Sequence, residues 1–187
     1  PLSYGAVRTP TAQWTATAAG CCLLQPQGAG VGIAAAAFGR VQDYQVKDIN
    51  NMGAAMAPAA YATIKAHFDD MKTTPEDFDL IVTGDLGQLG KEMLLELARR
   101  DGVSLGGKLT DCGTMVFDND KQDVHAGGSG CGCSAITLCG YLLGQLNGGK
   151  LKKILFCGTG ALLSPTSTQQ GLPIPGVCHA VCIAGGT

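Results

Sequence analysis

Two long stretches of the chain, residues 9–39 and 154–187, contain no Asp, Glu, Lys or Arg. Segments that poor in charge either cross a membrane or lie inside a packed protein. A membrane-spanning helix needs about 20 consecutive apolar residues. The first stretch is broken by Gln25-Pro26-Gln27-Gly28, and the second by Pro165, Gln169-Gln170, Pro173 and Pro175. Both therefore read as buried strands joined by tight loops. No acidic residue follows Asp123, so the last third is expected to be mostly interior or interface.

The remaining composition agrees with a folded α/β domain. Of 187 residues, 45% are hydrophobic and 15% charged, which is enough apolar surface for a real core and excludes a disordered chain. With 13 Lys+Arg against 15 Asp+Glu the net charge is −2, so there is no electrostatic case for nucleic-acid binding. The 28 Gly and 23 Ala point to close backbone approach between packed layers. No basic region followed by a short apolar run stands at Pro1, so no signal peptide is expected, and the missing initiator Met suggests part of a longer chain.

The nine cysteines include no Cys-x-x-Cys, so neither a disulfide framework nor a structural zinc site is expected. Cys131-x-Cys133 lacks a second knuckle to complete a metal site. Buried, reduced thiols in a reducing intracellular compartment are the default.

Residues 1–14 read as an irregular surface segment, and residues 15–187 as the folded domain. Thr15 to Leu24 and Val31 to Val41, flanking the Gln-Pro-Gln-Gly turn, predict a β-hairpin covered on both faces. Ala54 to Met71 carries Met56, Ala60, Ile64 and Phe68 at helical spacing. Phe78 to Thr83 reads as a strand, and Lys91 to Arg100 as an amphipathic helix closed by Asp101-Gly102. That order places Asp85 at the carboxyl end of its strand, where open α/β sheets bind ligands. Val103 to Gln122 is loop-like. Ser134 to Leu146, apolar on nearly every side, predicts a central helix between layers. Ile154 to Cys157 and Val177 to Ile183 complete the strands.

The densest chemical motif is Gly127-Gly128-Ser129-Gly130-Cys131-Gly132-Cys133-Ser134, opening the central helix. Its free backbone N–H groups suit an anion; its glycines equally suit tight packing. It is not a Walker loop, since no Lys follows, nor a nucleophile elbow, since Cys131 replaces the final Gly. Asp85 reads either as a site residue or as a helix cap or turn residue. His67, His125 and His179 form no triad-like spacing and read as surface-helix, loop and strand residues.

Four segments, Met52-Gly-Ala-Ala-Met-Ala-Pro-Ala-Ala60, Asp79-Leu-Ile-Val-Thr-Gly-Asp85, Ala126-Gly-Gly-Ser-Gly-Cys-Gly-Cys-Ser-Ala135 and Thr159-Gly-Ala-Leu-Leu-Ser-Pro-Thr166, resemble the stage V sporulation protein AD family of endospore-forming bacteria, over about the second half of that family's sequence. The resemblance implies one half of a degenerate thiolase: an α/β domain with a five-stranded mixed sheet and helices on both faces. Active thiolases and ketoacyl synthases take a nucleophilic Cys from the first half and His or Asn from the second. By that resemblance Asp85 stands where ketoacyl synthases carry a His, and Ser129 where thiolases do. Cys157-Gly-Thr-Gly160 resembles the thiolase Cys-x-Gly loop.

The family resemblance further implies a non-catalytic protein that binds dipicolinic acid and serves its uptake into the developing spore. Its partners would be small membrane proteins of the same system, and its place peripheral to the inner spore membrane. A homodimer is expected, because thiolase-like halves commonly self-associate. The ligand site implied comprises Gly84, Asp85, Leu86, Ser129, Gly130, Cys131, Cys157, Thr159 and Gly160. There is no resident metal or cofactor, but calcium is allowed as a bridge chelated with dipicolinate. The alternative is a thiolase-class acyltransferase that needs its N-terminal half and uses Cys131 or Cys157 as an acid/base thiol. A third reading is a scaffold that docks membrane partners through the charge-poor last third.

Overall fold

A computed structural model describes residues 8–26 and 28–186. The elements in chain order are β1 (Trp14–Thr15), β2 (Gly32–Ala37), α1 (Met52–Met71), a short 3-10 turn (Pro75–Asp77), β3 (Leu80–Thr83), α2 (Gly87–Arg100), β4 (Leu109–Asp111), α3 (Cys112–Met115), β5 (Gly128–Ser129), α4 (Cys131–Thr137), a π-helical turn (Leu138–Leu142), α5 (Leu143–Asn147), β6 (Lys153–Ala161), α6 (Pro165–Gln169) and β7 (Gly176–Ala184). Five strands form one sheet in the order β2-β7-β6-β3-β4. β3 runs parallel to both β4 and β6, while β7 is antiparallel to β6 and β2, so the sheet is mixed.

Helices cover both faces. On one face α1 and α2 bury Met56, Ala60, Ile64 and Phe68 against Ile81, Leu155 and Cys157. On the other, the helical run from Cys131 buries Cys133, Leu142 and Leu146 against Val82, Ile154 and Ile183. Local chemistry explains where α1 starts and stops. The Asn51 side chain accepts a hydrogen bond from Ala54 N at 3.1 Å, as an N-cap should. At the other end Lys72 takes a left-handed φ of 53°, turning the chain toward the 3-10 turn.

Several expectations are corrected. The hairpin does not form: β1 pairs in parallel with β5, and β2 pairs with β7. The small residues of 16–20 instead let the backbone run along the helix that begins at Cys131. A Cβ on Gly132 would lie 2.3 Å from Ala18 O, and one on Gly20 would lie 2.5 Å from Ala135 O. β2 is not covered on both faces, since Ile33 is 56% exposed and Phe38 beyond it 93%. The loop-like 103–122 stretch contains β4 and α3, elements too short to show periodicity. The central helix starts three residues early and contains a π turn. One flank is open, with Tyr141 51% exposed, so within this chain it is not sandwiched between layers. The last third is not all interior either: Leu162, Leu163 and Leu172 are exposed. Cys21, Cys22 and Cys131 are exposed rather than buried. His67 is not a surface residue but only 1% exposed. It packs on Phe78, and burial lowers its pKa.

α1 meets α2 almost backbone to backbone at Gly53 and Gly90. A Cβ on Gly53 would lie 2.7 Å from Leu86 O and 3.0 Å from Gly90 Cα. Gly53→Ala is expected to lose about 1–3 kcal/mol by overpacking. Gly144→Ala, on α5 with nothing within 4 Å of the new Cβ, is expected to gain up to about 1 kcal/mol from helix propensity. Urea denaturation of the two variants should move the midpoints in opposite directions.

Candidate functional site

The site lies where β3 and β6 end. After Thr83, Gly84 lets Thr159 of β6 come close: a Cβ on Gly84 would sit 2.7 Å from Thr159 Oγ1. That closeness lets the Thr159 hydroxyl accept from Asp85 N at 3.1 Å and donate to Asp85 Oδ1 at 3.0 Å. The other carboxylate oxygen, Oδ2, accepts from Ser129 Oγ at 2.8 Å and from Gly130 N at 3.3 Å. Gly130 has φ 96°, a left-handed value that favours glycine and allows its N–H to face the carboxylate.

Asp85 therefore neither caps a helix nor closes a turn through its side chain. The residue before α2 is Leu86, with no side-chain cap. The side chain of Asp85 reaches across the sheet edge to two other elements. Three donors, two hydroxyls and one backbone N–H, converge on one half-buried carboxylate. Such a donor set recognises carboxylates. In the same glycine-rich motif, Gly128 and Ser129 pair as β5 beside Trp14 and Thr15, and Cys131 opens α4.

A second carboxylate, absent from the sequence reading, shapes this turn. Asp111 is 0% exposed at the end of β4. Its Oδ2 accepts from Thr83 Oγ1 at 2.7 Å and Leu86 N at 2.8 Å, and its Oδ1 from Gly87 N at 3.0 Å and Gly113 N at 2.9 Å. Burial pushes its pKa up, against the pull of the Thr83, Leu86 and Gly87 donors. Three of the four donors are backbone N–H groups that cannot accept in return, so the ionised form satisfies the pocket. Asp-x-Gly after a strand is a recognisable turn signal, and Asp111-Cys-Gly113 carries it inside the segment read as a loop. Gln13 is a second residue the sequence reading missed. Its side-chain amide donates to Asp85 O at 3.1 Å and Gly128 O at 2.9 Å, tying the two site loops together.

The nine expected site residues separate into two groups. Gly84, Asp85, Ser129, Gly130 and Thr159 meet directly, and Gly160 and Cys131 follow them in the chain, with Cys131 exposed. Leu86 and Cys157 point into the core under α1 and α2, away from the carboxylate. The Cys157 thiol is fully buried and donates to Leu155 O; the neighbouring Cys178 thiol and burial push its pKa well above the usual thiol range. Among the described residues no group of three or more His, Cys, Asp or Glu could hold a metal ion. A groove of about 660 Å³ lies elsewhere, between residues 36–42 and the second half of α1.

Asp111→Asn would leave one side-chain oxygen for four donors, stranding at least one buried N–H. It is expected to destabilise the fold by about 1–3 kcal/mol. The change should appear as a lower urea midpoint with an unchanged slope.

Comparison with known proteins bears on the family. The profile of the stage V sporulation protein AD family matches residues 1–184. Stage V sporulation protein AD of Bacillus subtilis (strain 168) is 42% identical over 188 residues, covering 100% of this chain and 55% of that protein. The chain thus spans about half the length of this relative. Two solved structures share lower similarity. An OleA variant of Xanthomonas campestris has a TM-score of 0.46 at 13% identity, covering 83% of this chain and 58% of that one. The 3-oxoacyl-(acyl-carrier-protein) synthase III of Aquifex aeolicus has a TM-score of 0.40 at 12% identity, covering 84% and 54%. On the strength of the profile match and the Bacillus relative, the chain belongs to the stage V sporulation protein AD family of sporulation proteins.

Proposed function

We propose that this chain forms part of a non-catalytic protein that binds dipicolinic acid and serves its uptake into the developing spore, with the Asp85 cluster as the ligand site. The observation that supports this reading is the convergence of Ser129 Oγ, Gly130 N and Thr159 Oγ1 on a single carboxylate. A set of donors that holds the carboxylate of Asp85 has the chemistry to hold one from a planar dicarboxylate. Charge-assisted hydrogen bonds contribute roughly 1.5–3 kcal/mol each. Three of them approach the roughly 8 kcal/mol that an affinity near ~1 μM requires.

Asp85 sets the condition for binding. Two unit charges about 4 Å apart repel by about 4 kcal/mol at the effective dielectric of a protein surface, which is half of that binding energy. The ligand must therefore displace the Asp85 side chain from its donors or share a calcium ion with it. No helix among the described residues is long and apolar enough to cross a membrane, which suits a peripheral role beside small membrane proteins. A second copy of the chain is the expected self-partner.

The acyltransferase reading loses one of its two thiols, since a fully buried Cys157 with a raised pKa is a poor acid/base group. It retains only Cys131 at the surface.

Calorimetric titration of dipicolinate into the complete protein, with the monocarboxylate picolinate as control, tests the proposal. Saturable, dicarboxylate-selective heat is expected. Asp85→Asn should tighten binding at least tenfold without calcium and remove any calcium dependence. Absence of binding, or an affinity unchanged by Asp85→Asn with and without calcium, would overturn the site. Thioester turnover by the complete protein would overturn the non-catalytic reading.

A further inference from the structure

Cys22 and Cys139 lie 117 positions apart in sequence, and their sulfurs are 3.4 Å from each other. They are unbonded thiols: Cys22 is exposed, and Cys139 is partly exposed on the π turn between α4 and α5. The backbone around them is held in close register. A Cβ on Gly20 would lie 2.5 Å from Ala135 O and 3.0 Å from Cys139 Sγ. The 16–22 segment is therefore seated against the helix by contacts that leave no room for a side chain at Gly20.

We propose that Cys22 and Cys139 form a reversible disulfide under oxidising conditions, fastening the 16–22 segment to the helix that follows the Asp85 cluster. To bond, the sulfurs close from 3.4 Å to about 2.05 Å. The oxidant is a hydroperoxide. The Cys22 thiol attacks it and becomes a sulfenic acid, releasing one water from hydrogen peroxide. The Cys139 thiol then displaces the hydroxyl, forming the S–S bond and releasing a second water. Two thiols lose two electrons and two protons in total, and the peroxide is reduced to water. Cys22 takes the first step because it is the accessible thiol. Cys139 resolves because its sulfur lies 3.4 Å from that of Cys22; burial, chiefly, and the hydrogen bond to Cys22 raise its pKa, which disfavours it as the first nucleophile.

The bond would act on the site through the N-terminal segment. The backbone continues from Cys22 back through Ala16, whose N–H donates to Ser129 O at 2.8 Å, to Gln13, which bridges Asp85 O and Gly128 O. Fastening one end of this segment restrains the strand that holds both site loops.

The test is thiol mapping on the complete protein before and after hydrogen peroxide, with dithiothreitol reversal. Alkylation at Cys22 and Cys139 should be lost together, and a peptide linking the two should appear and vanish with reductant. Cys131, also exposed, serves as the internal control and should form no cross-link. Cys22→Ser or Cys139→Ser, both at sites with solvent access, should each abolish the cross-link. In the oxidised wild type, hydrogen exchange at the amides of Trp14 and Ala16 should slow, a change that a bond without mechanical consequence would not produce. A cross-link to Cys21 in place of Cys22, oxidation of Cys22 with Cys139 still fully alkylated, or unchanged exchange at Trp14 and Ala16 would overturn the proposal.

Discussion

The buried carboxylate of Asp111 is the constraint on which the site depends. It receives four hydrogen bonds from β3, the turn after it and the starts of α2 and α3, and is wholly removed from water. An ionised group in such a place is tolerated only when its oxygens are fully satisfied. Satisfying them fixes the backbone at Leu86 and Gly87, and that in turn aims the preceding residue, Asp85, across the sheet edge toward β6 and β5. The two carboxylates therefore have different roles: one shapes the turn, the other presents a charged group to a set of donors.

Small residues supply the second constraint. Gly53 and Gly90 allow α1 and α2 to touch, Gly84 admits Thr159, and Gly132 and Gly20 admit the extended segment that runs beside the helix from Cys131. In each case an added methyl would collide with a backbone atom or with a hydrogen-bonded hydroxyl. Beside these close approaches, Gln13 bonds both site loops at once and Ala16 N–H bonds Ser129 O. The candidate site and the packing draw on the same positions.

Elements whose cause is local are legible in the sequence. The stripe Met56, Ala60, Ile64, Phe68 marks α1, and the strand before Gly84-Asp85 places that carboxylate correctly at a strand end. Ser129, Gly130 and Thr159 are legible too, through the family resemblance and the glycine pattern, and they do converge on Asp85. What escapes the sequence is nonlocal. The pairing of β1 with β5 joins residues more than a hundred positions apart, and charge-free strands flanking a Pro-Gly turn carry the same local signature as a hairpin. β4 and α3 are too short to have a period, so Asp111 is hidden in an apparent loop. His67 sits on a polar-looking stretch of α1, yet it is buried and packs on Phe78.

Ser129, Gly130 and Thr159 converge on the carboxylate of Asp85, and the proposed ligand would take the same donors. The most direct measurement follows the backbone amide resonances of the nitrogen-labelled complete protein while dipicolinate is added. A saturable shift of the Gly130 amide is expected, with the Gly113 and Gly87 amides that serve Asp111 nearly unmoved. A saturable shift elsewhere, for instance around Arg40 and His67 in the groove beside α1, with Gly130 unchanged, would contradict it.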